Sequence, residues 1–223
     1  MRAGRLFLDQ ISDRLGRLTR LECDLYGSLA LTGVGHGTDN AVLLGLSGET
    51  PERIDVDRAP ETARRIHATH QLMVDGRFAL PFTPSADLRL NKGVFLPGHS
   101  NAMVFTATFA DGEVARQEFH SIGGGEVVTV GAEPPRISNL ELRYGFQSAA
   151  ELLALAERDG VTIADIVRAN ETAWRAPEET DALVDAILEA MSASIDRGCV
   201  KEGMLPGGLE VQRRAPAIHK ALS

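Results

Sequence analysis

The chain has 223 residues, 43% of them hydrophobic and 5% aromatic, which suits one large domain or two small ones with a real core and argues against a disordered chain. Acidic residues (31) outnumber Lys and Arg (23) for a net charge of −8. That balance, with no basic run and few aromatics, argues against nucleic acid and anionic membrane as partners. The first residues lack the apolar core of a signal peptide, and no stretch reaches the ~20 apolar residues of a membrane span. Two distant cysteines, Cys23 and Cys199, read as reduced thiols of a cytoplasmic protein.

Residues 2–18 place Leu6, Phe7, Ile11, Leu15 and Leu18 on one stripe, which predicts an amphipathic helix. Nothing ahead of Arg2 caps it except Met1, so a preceding segment is expected. Residues 21–27 alternate Leu21, Cys23 and Leu25 with Glu22, Asp24 and Tyr26, which predicts a strand. A glycine-rich turn over 28–39 then leads into a helix with Asp39 as its N-cap. Residues 50–75 read as polar linker and a short helix, Pro60 to Met73. From 76 to 130 short strands follow, separated by Gly, Pro, Asp or Asn, and Asp111-Gly112 marks a hairpin. The expected class is α+β, with helices beside a mixed or largely antiparallel sheet.

Residues 131–147, with Gly131, Pro134, Pro135 and Gly145, read as a linker. Everything after is helical. Ser148 and Glu151 spell a capping box before a helix that stops at Gly160, and Thr162 with Asp165 repeats the pattern. Pro177 opens a long helix ending at Gly198, with Ile187, Leu188, Ala190, Met191 and Ile195 as its core stripe. A Gly-Pro loop and one short helix close the chain, which ends in mid-helix. The expected organisation is an α+β domain over 1–130, the linker, and an all-helical segment over 148–223. Such helices bury little by themselves, so they are expected to pack on the first domain or on protein beyond the chain.

The sharpest local feature is Gly33-Val34-Gly35-His36-Gly37-Thr38-Asp39. Glycines on both sides let a substrate approach the imidazole of His36, and the N-terminus of the next helix favours an anion such as a carboxylate. Histidine suits proton transfer near neutral pH; the alternative is an exposed histidine in a tight turn. The loop has no GxxxxGK[ST] spelling, so a nucleotide site is disfavoured. His99, in Leu96-Pro97-Gly98-His99-Ser100-Asn101, either joins His36 or is a loop residue. Gly123-Gly124-Gly125 permits close packing. His67 and His70 at i, i+3 could share a metal, but a solvated helix face is the better reading, since no third ligand is evident. Cys199 reads as a buried thiol rather than a reactive one, and His120 and His219 do not stand out.

Together these segments resemble the iron–sulfur L-serine dehydratases, or L-serine ammonia-lyases. SLALTGVGHGTDNAVLLGL (28–46) is similar to that family's SLALTGKGHGTD stretch, FLPGHSNAMVFTA (95–107) to its FLPLHPNGMRFTA, and SIGGGEVV (121–128) to its SVGGGFVV. Residues 148–175 and 198–216 resemble the start of its catalytic domain, and the first domain resembles the allosteric substrate-binding domain of some phosphoglycerate dehydrogenases. The resemblance implies dehydration of L-serine to aminoacrylate, then pyruvate and ammonia, with a [4Fe–4S] cluster and no pyridoxal phosphate. It implies His36 as base or proton relay, and Ser28, Thr38, Asp39 and His99 as substrate-binding neighbours. The family's GPSSSHT run would precede Met1 and its cluster cysteines would lie beyond residue 223, so the cluster ligands are expected outside this chain, and so is a further active-site histidine. The chain departs from the family pattern at Val34, Gly98, Ser100, Ala102, Glu126 and Glu210.

Three readings follow: part of an L-serine dehydratase, inactive alone and partnered by a C-terminal catalytic region or subunit; a regulatory domain that binds serine or another anion; or a structural domain whose partner supplies the chemistry. A homo-oligomer is a further expected arrangement, favoured by an exposed apolar helix face.

Overall fold

A computed structural model describes residues 1–132, 141–205 and 210–222. Met1–Ala132 folds as one compact unit, and the chain beyond it supplies most of a second.

In the first unit α1 (Arg2–Gln10) gives way to a 3-10 helix, Ser12–Arg17. The single helix expected over 2–18 thus divides at Ile11, whose φ of −113° and ψ of 17° leave the α region. Ile11 and Leu15 stay buried, and the tighter turn delivers the chain directly into β1 (Leu18–Tyr26). In β1 the expected alternation holds, with Leu21, Cys23 and Leu25 buried and Glu22, Asp24 and Tyr26 partly exposed.

The glycine-rich segment holds two helices, α2 (Gly27–Thr32) and α3 (Thr38–Leu46). The N-cap of α3 is Gly37, not Asp39, because the chain enters the helix through a left-handed residue (φ 68°) that glycine adopts without strain; Asp39 lies in the first turn. α4 (Ala59–Thr69) stops at His70 (φ 51°), four residues short of the helix expected to Met73. The remainder becomes β2 (Gln71–Val74), paired with β3 (Phe78–Pro81), because Leu72 and Val74 are both fully buried at strand spacing. α5 (Pro84–Asp87), β4 (Leu88–Asn91), β5 (Ala102–Phe109), β6 (Val114–Gly123) and β7 (Glu126–Thr129) complete the unit.

The main sheet runs β4-β1-β5-β6-β7. β1 and β4 are parallel and every other neighbouring pair is antiparallel, so the α+β class with a mixed sheet holds. Asp111-Gly112 makes the β5–β6 turn as expected, with Gly112 at φ 84° and Asp111 accepting from the Glu113 amide at 3.1 Å. Helices cover one face, where Phe7, Leu8, Ile11, Leu43 and Leu46 pack with Leu21, Leu25, Phe105 and Phe119.

The opposite face carries charge. Arg89 grips Asp24 through two bonds, Nε to Oδ1 at 2.7 Å and Nη2 to Oδ2 at 2.6 Å, and reaches Glu22 at 2.5 Å. Asn91 also donates to Asp24, at 3.0 Å. Burial pulls the Asp24 pKa up, but the bonds from Arg89 and Asn91 outweigh it and hold the carboxyl below its ordinary value of 3.8. A lowered folded pKa gives stability that is fully present above the ordinary value and lost as pH falls through the folded one. Asp24→Asn is therefore expected to cost about 1–3 kcal/mol at neutral pH and to flatten the acid loss of stability below about pH 4. Urea midpoints at neutral and acid pH read both effects; equal losses for the two proteins at acid pH would contradict them.

The second unit holds α6 (Ala149–Asp159), α7 (Ile163–Glu171), α8 (Pro177–Val200) and α9 (Ala215–Leu222). Ser148 caps α6 by accepting from the Glu151 amide at 3.2 Å, and Gly160 ends it in the left-handed conformation. Thr162 and Asp165 form the full capping box. Asn170, itself buried, bridges to the backbone of Tyr144 in both directions, at 2.8 and 2.7 Å. Two expectations change. α8 runs through Gly198 to Val200, because a lone glycine does not stop a helix that has Cys199 and Val200 to continue it. Its stripe is not core, since Ile187, Leu188, Met191 and Ile195 are each at least 60% exposed. Residues 133–140 of the expected linker and 206–209 of the Gly-Pro loop lie outside the described residues. No helix among the described residues is long and apolar enough to cross a membrane.

Candidate functional site

Residues 33–37 join α2 to α3 in a tight hydrogen-bonded turn. His36 N donates to Thr32 O at 3.2 Å, Gly37 N to Val34 O at 3.1 Å and Thr38 N to Gly33 O at 2.8 Å. The start of α2 is pinned to the segment before β5, with Gly27 N donating to Val94 O at 2.8 Å and Ser28 N to Ser100 O at 2.9 Å. Gly27 is required there: its φ is +54°, and a Cβ would stand 2.2 Å from Ser100 O. So the two stretches singled out in the sequence, 28–46 and 95–107, are stitched together by backbone.

The exposed His36 side chain lines a cleft of about 270 Å³ with Thr38, Arg2, Met103, Ser121 and Val127. Arg2 latches one wall, donating to Gly125 O at 2.5 Å and to Glu52. The glycine turn at 123–125 is thereby tied to α1, a role its composition did not reveal. Of the first-turn amides of α3, that of Thr38 is taken by Gly33 O, while those of Asp39 and Asn40 have no backbone carbonyl partner among the described residues and carry the helix's partial positive charge.

Asp39, three residues beyond His36 in the first turn of α3, lines a different cleft of about 530 Å³ with Leu43, His67, Ser85, Leu88 and Arg89. Its Oδ1 is buried with no hydrogen-bond partner among the described residues. An unsatisfied buried acceptor costs about 1–3 kcal/mol, offset in part by the N-terminal end of α3. Ser28 lines neither cleft; its carbonyl accepts from Thr32 Oγ1 at 2.9 Å.

His99 stacks on His120, with ring centroids 5.7 Å apart. Its Nδ1 accepts from the Asn101 amide at 3.0 Å, which leaves the proton of the neutral ring on Nε2. His120 Nε2 in turn donates to Glu118 Oε1 at 2.8 Å. His120 and Glu118 alternate with Phe119 and Ser121 along β6, so they project from the face away from the helices, whereas Ser121 lines the His36 cleft. The structure therefore brings His36 and Thr38 together, sets Asp39 apart, and gives His99 a partner, His120, that sequence reasoning passed over. The i, i+2 spacing of Glu118 and His120 within a strand was the available signal.

His70 ends α4 in the left-handed conformation and leaves the face that carries His67. Among the described residues no group of three or more His, Cys, Asp or Glu gathers to hold a metal. Cys23 is buried in the sheet, and burial, with Asp24 adding to it, pushes its thiol far above the ordinary range. Cys199 is a second free thiol, on α8. These residues do not fit an iron–sulfur cluster, which takes three or four thiolates in one place.

Residues 1–132 match the model of the serine dehydratase beta chain. The chain belongs to that family. Across its whole length it is 38% identical to an L-serine dehydratase of Streptomyces coelicolor, 36% to L-serine dehydratase 1 of Escherichia coli and 36% to an L-serine dehydratase of Mycobacterium tuberculosis. It covers 50%, 50% and 49% of those proteins, so this member of the beta-chain family spans about half the length of the curated relatives it matches. The family match covers the unit that holds both clefts and the His99–His120 pair.

Proposed function

We propose that the chain is the beta-chain part of a cytoplasmic L-serine dehydratase, a lyase that converts L-serine to pyruvate and ammonia, and that it is inactive without the rest of the enzyme. The observation that carries this reading is His36 in the lining of a cleft, just before the N-terminus of α3, in a chain whose whole length aligns with about half of an L-serine dehydratase. In the proposed reaction the substrate carboxylate lies against the Asp39 and Asn40 amides at the start of α3 and the Thr38 hydroxyl. His36 takes the α-proton and returns it to the β-hydroxyl, which leaves as water as the C–O bond breaks, and the aminoacrylate tautomerises and is hydrolysed by water to pyruvate and ammonia. Ser28 and His99 act through the backbone joints that set the loop, and Asp39 offers a carboxylate to a donor on the far side of α3. No step is assigned to the iron–sulfur cluster implied by the family resemblance, because the residues of this chain do not fit one; its ligands are assigned to the remaining half of the enzyme, on the same polypeptide or a separate subunit. The exposed stripe of α8 is where that half is expected to pack.

The competing reading is a regulatory domain that binds a small molecule without catalysis, favoured by the larger cleft at Asp39. Tagging the gene at its chromosomal locus and purifying without oxygen separates the two. The preparation is expected to release pyruvate from L-serine, while the 223-residue chain alone, after iron–sulfide reconstitution, gives neither pyruvate nor cluster absorbance. A native preparation with no L-serine turnover overturns the dehydratase reading.

A further inference from the structure

Most arginines of the first unit are tied to a carboxylate, as an acidic protein readily allows: Arg17 to Asp111 at 2.7 Å, Arg64 to Glu61 at 2.7 Å, Arg77 to Asp75 at 2.6 Å, Arg89 to Asp24 at 2.6 Å. Arg116, on β6, is not, and neither are Arg53, Arg58 and Arg65. Among the described residues no carboxylate oxygen lies within 4.0 Å of their guanidinium nitrogens. The last three are nonetheless close together, on one cleft of about 410 Å³ at the start of α4, with Glu49, Asp55 and Thr62. Arg58, Thr62 and Arg65 recur at i, i+4 and i+7, so they share one side of the helix, and Arg53 closes in from the preceding turn. Arg64, one residue off that side, is the one that found a carboxylate.

Three guanidinium groups left unpaired on one concavity, in a chain of net charge −8, form a site for an anion. Bringing like charges together without a counter-charge is unfavourable, and an anion held between them removes that cost. The planar fork of arginine matches the oxygens of phosphate in paired hydrogen bonds. The concave shape and a volume within the usual range of about 300–1,000 Å³ favour a small ligand over a polymer. The two carboxylates refine the choice. Asp55 Oδ1 accepts from the amides of Asp57 at 3.0 Å and Arg58 at 3.1 Å, so it is engaged in shaping the loop. Glu49 stays available to a hydroxyl or ammonium donor.

We propose that the cleft formed by Arg53, Arg58 and Arg65 at the start of α4 binds a small phosphorylated metabolite, with Glu49 receiving a donor group of the same ligand. The site is separate from the His36 and Asp39 clefts, and the inference stands whether or not the dehydratase reading does.

Calorimetric titration of the whole chain with pyrophosphate at low salt tests it. Binding is expected in the wild-type protein, and Arg58→Gln/Arg65→Gln is expected to weaken it at least about tenfold, the loss of one charge-assisted pair or more. Arg116→Gln, which removes an arginine outside the cleft, is expected to leave affinity unchanged. Circular dichroism melts confirm that each variant is folded. Absence of binding to the wild-type protein, or equal weakening by Arg116→Gln, overturns the proposal. So does an oligonucleotide that competes as well as pyrophosphate, which would show a phosphate-backbone surface instead of a small-molecule site.

Discussion

His36→Ala in the natively purified enzyme is expected to lower kcat for L-serine by about 10²–10⁴, the usual contribution of a positioned acid–base group. The side chain is exposed and enters none of the hydrogen bonds that build its turn, which run through the backbone of Thr32, Gly33, Val34, Gly37 and Thr38. Its loss therefore leaves the fold intact, and the thermal melt is expected to match the wild type. A Thr38→Val change probes the other half of the proposal: a hydroxyl that holds the carboxylate affects KM more than kcat, whereas His36 acts on kcat. Normal turnover in His36→Ala would remove His36 from the reaction and return the residue to its alternative reading as an exposed turn histidine.

Phe105→Ala is expected to destabilise the first unit by about 3–5 kcal/mol. Phe105 is fully buried on β5, the middle strand of the main sheet. Its ring stacks on Phe7 of α1 at 5.5 Å and meets Phe119 of β6 edge-on at 5.8 Å. One side chain thus joins the helical layer to two strands, and its removal leaves a cavity whose walls are held by other elements and cannot collapse. A domain's whole stability is about 5–15 kcal/mol, so the variant is expected to be marginal at 25 °C. The sole tryptophan, Trp174, lies in the second unit, so urea unfolding is best followed by circular dichroism. A midpoint shift equivalent to less than about 1 kcal/mol would mean that the three rings do not form the joint described.

Features that depend on a few neighbouring residues were legible in the sequence. The two-residue period of Leu21, Cys23 and Leu25, the caps at Ser148 and at Thr162 with Asp165, and the Asp111-Gly112 hairpin are all decided within about four residues of chain, where side-chain direction and backbone hydrogen bonding are local. So was the histidine loop, because glycines flanking a histidine are informative wherever they fold. Other features depend on partners distant in the chain. Residues 71–74 have enough helical pattern to extend α4, yet pairing with 78–81 and burial of Leu72 and Val74 make them a strand. β4 joins the sheet parallel to β1, 65 positions away at the Asp24–Arg89 contact, and no local signal encodes that choice. The stripe on α8 has the spacing of a core face and is solvent-exposed, since period reports which residues share a side and not what covers it. The same limit applies to the site. His36 and Asp39 are three positions apart in one motif and serve different clefts, while His99 pairs with His120 on the side of the sheet away from the helices. Sequence order placed these residues in one neighbourhood; the direction in which each side chain leaves its helix, turn or strand sorted them, and that direction is set only when the sheet and helices pack.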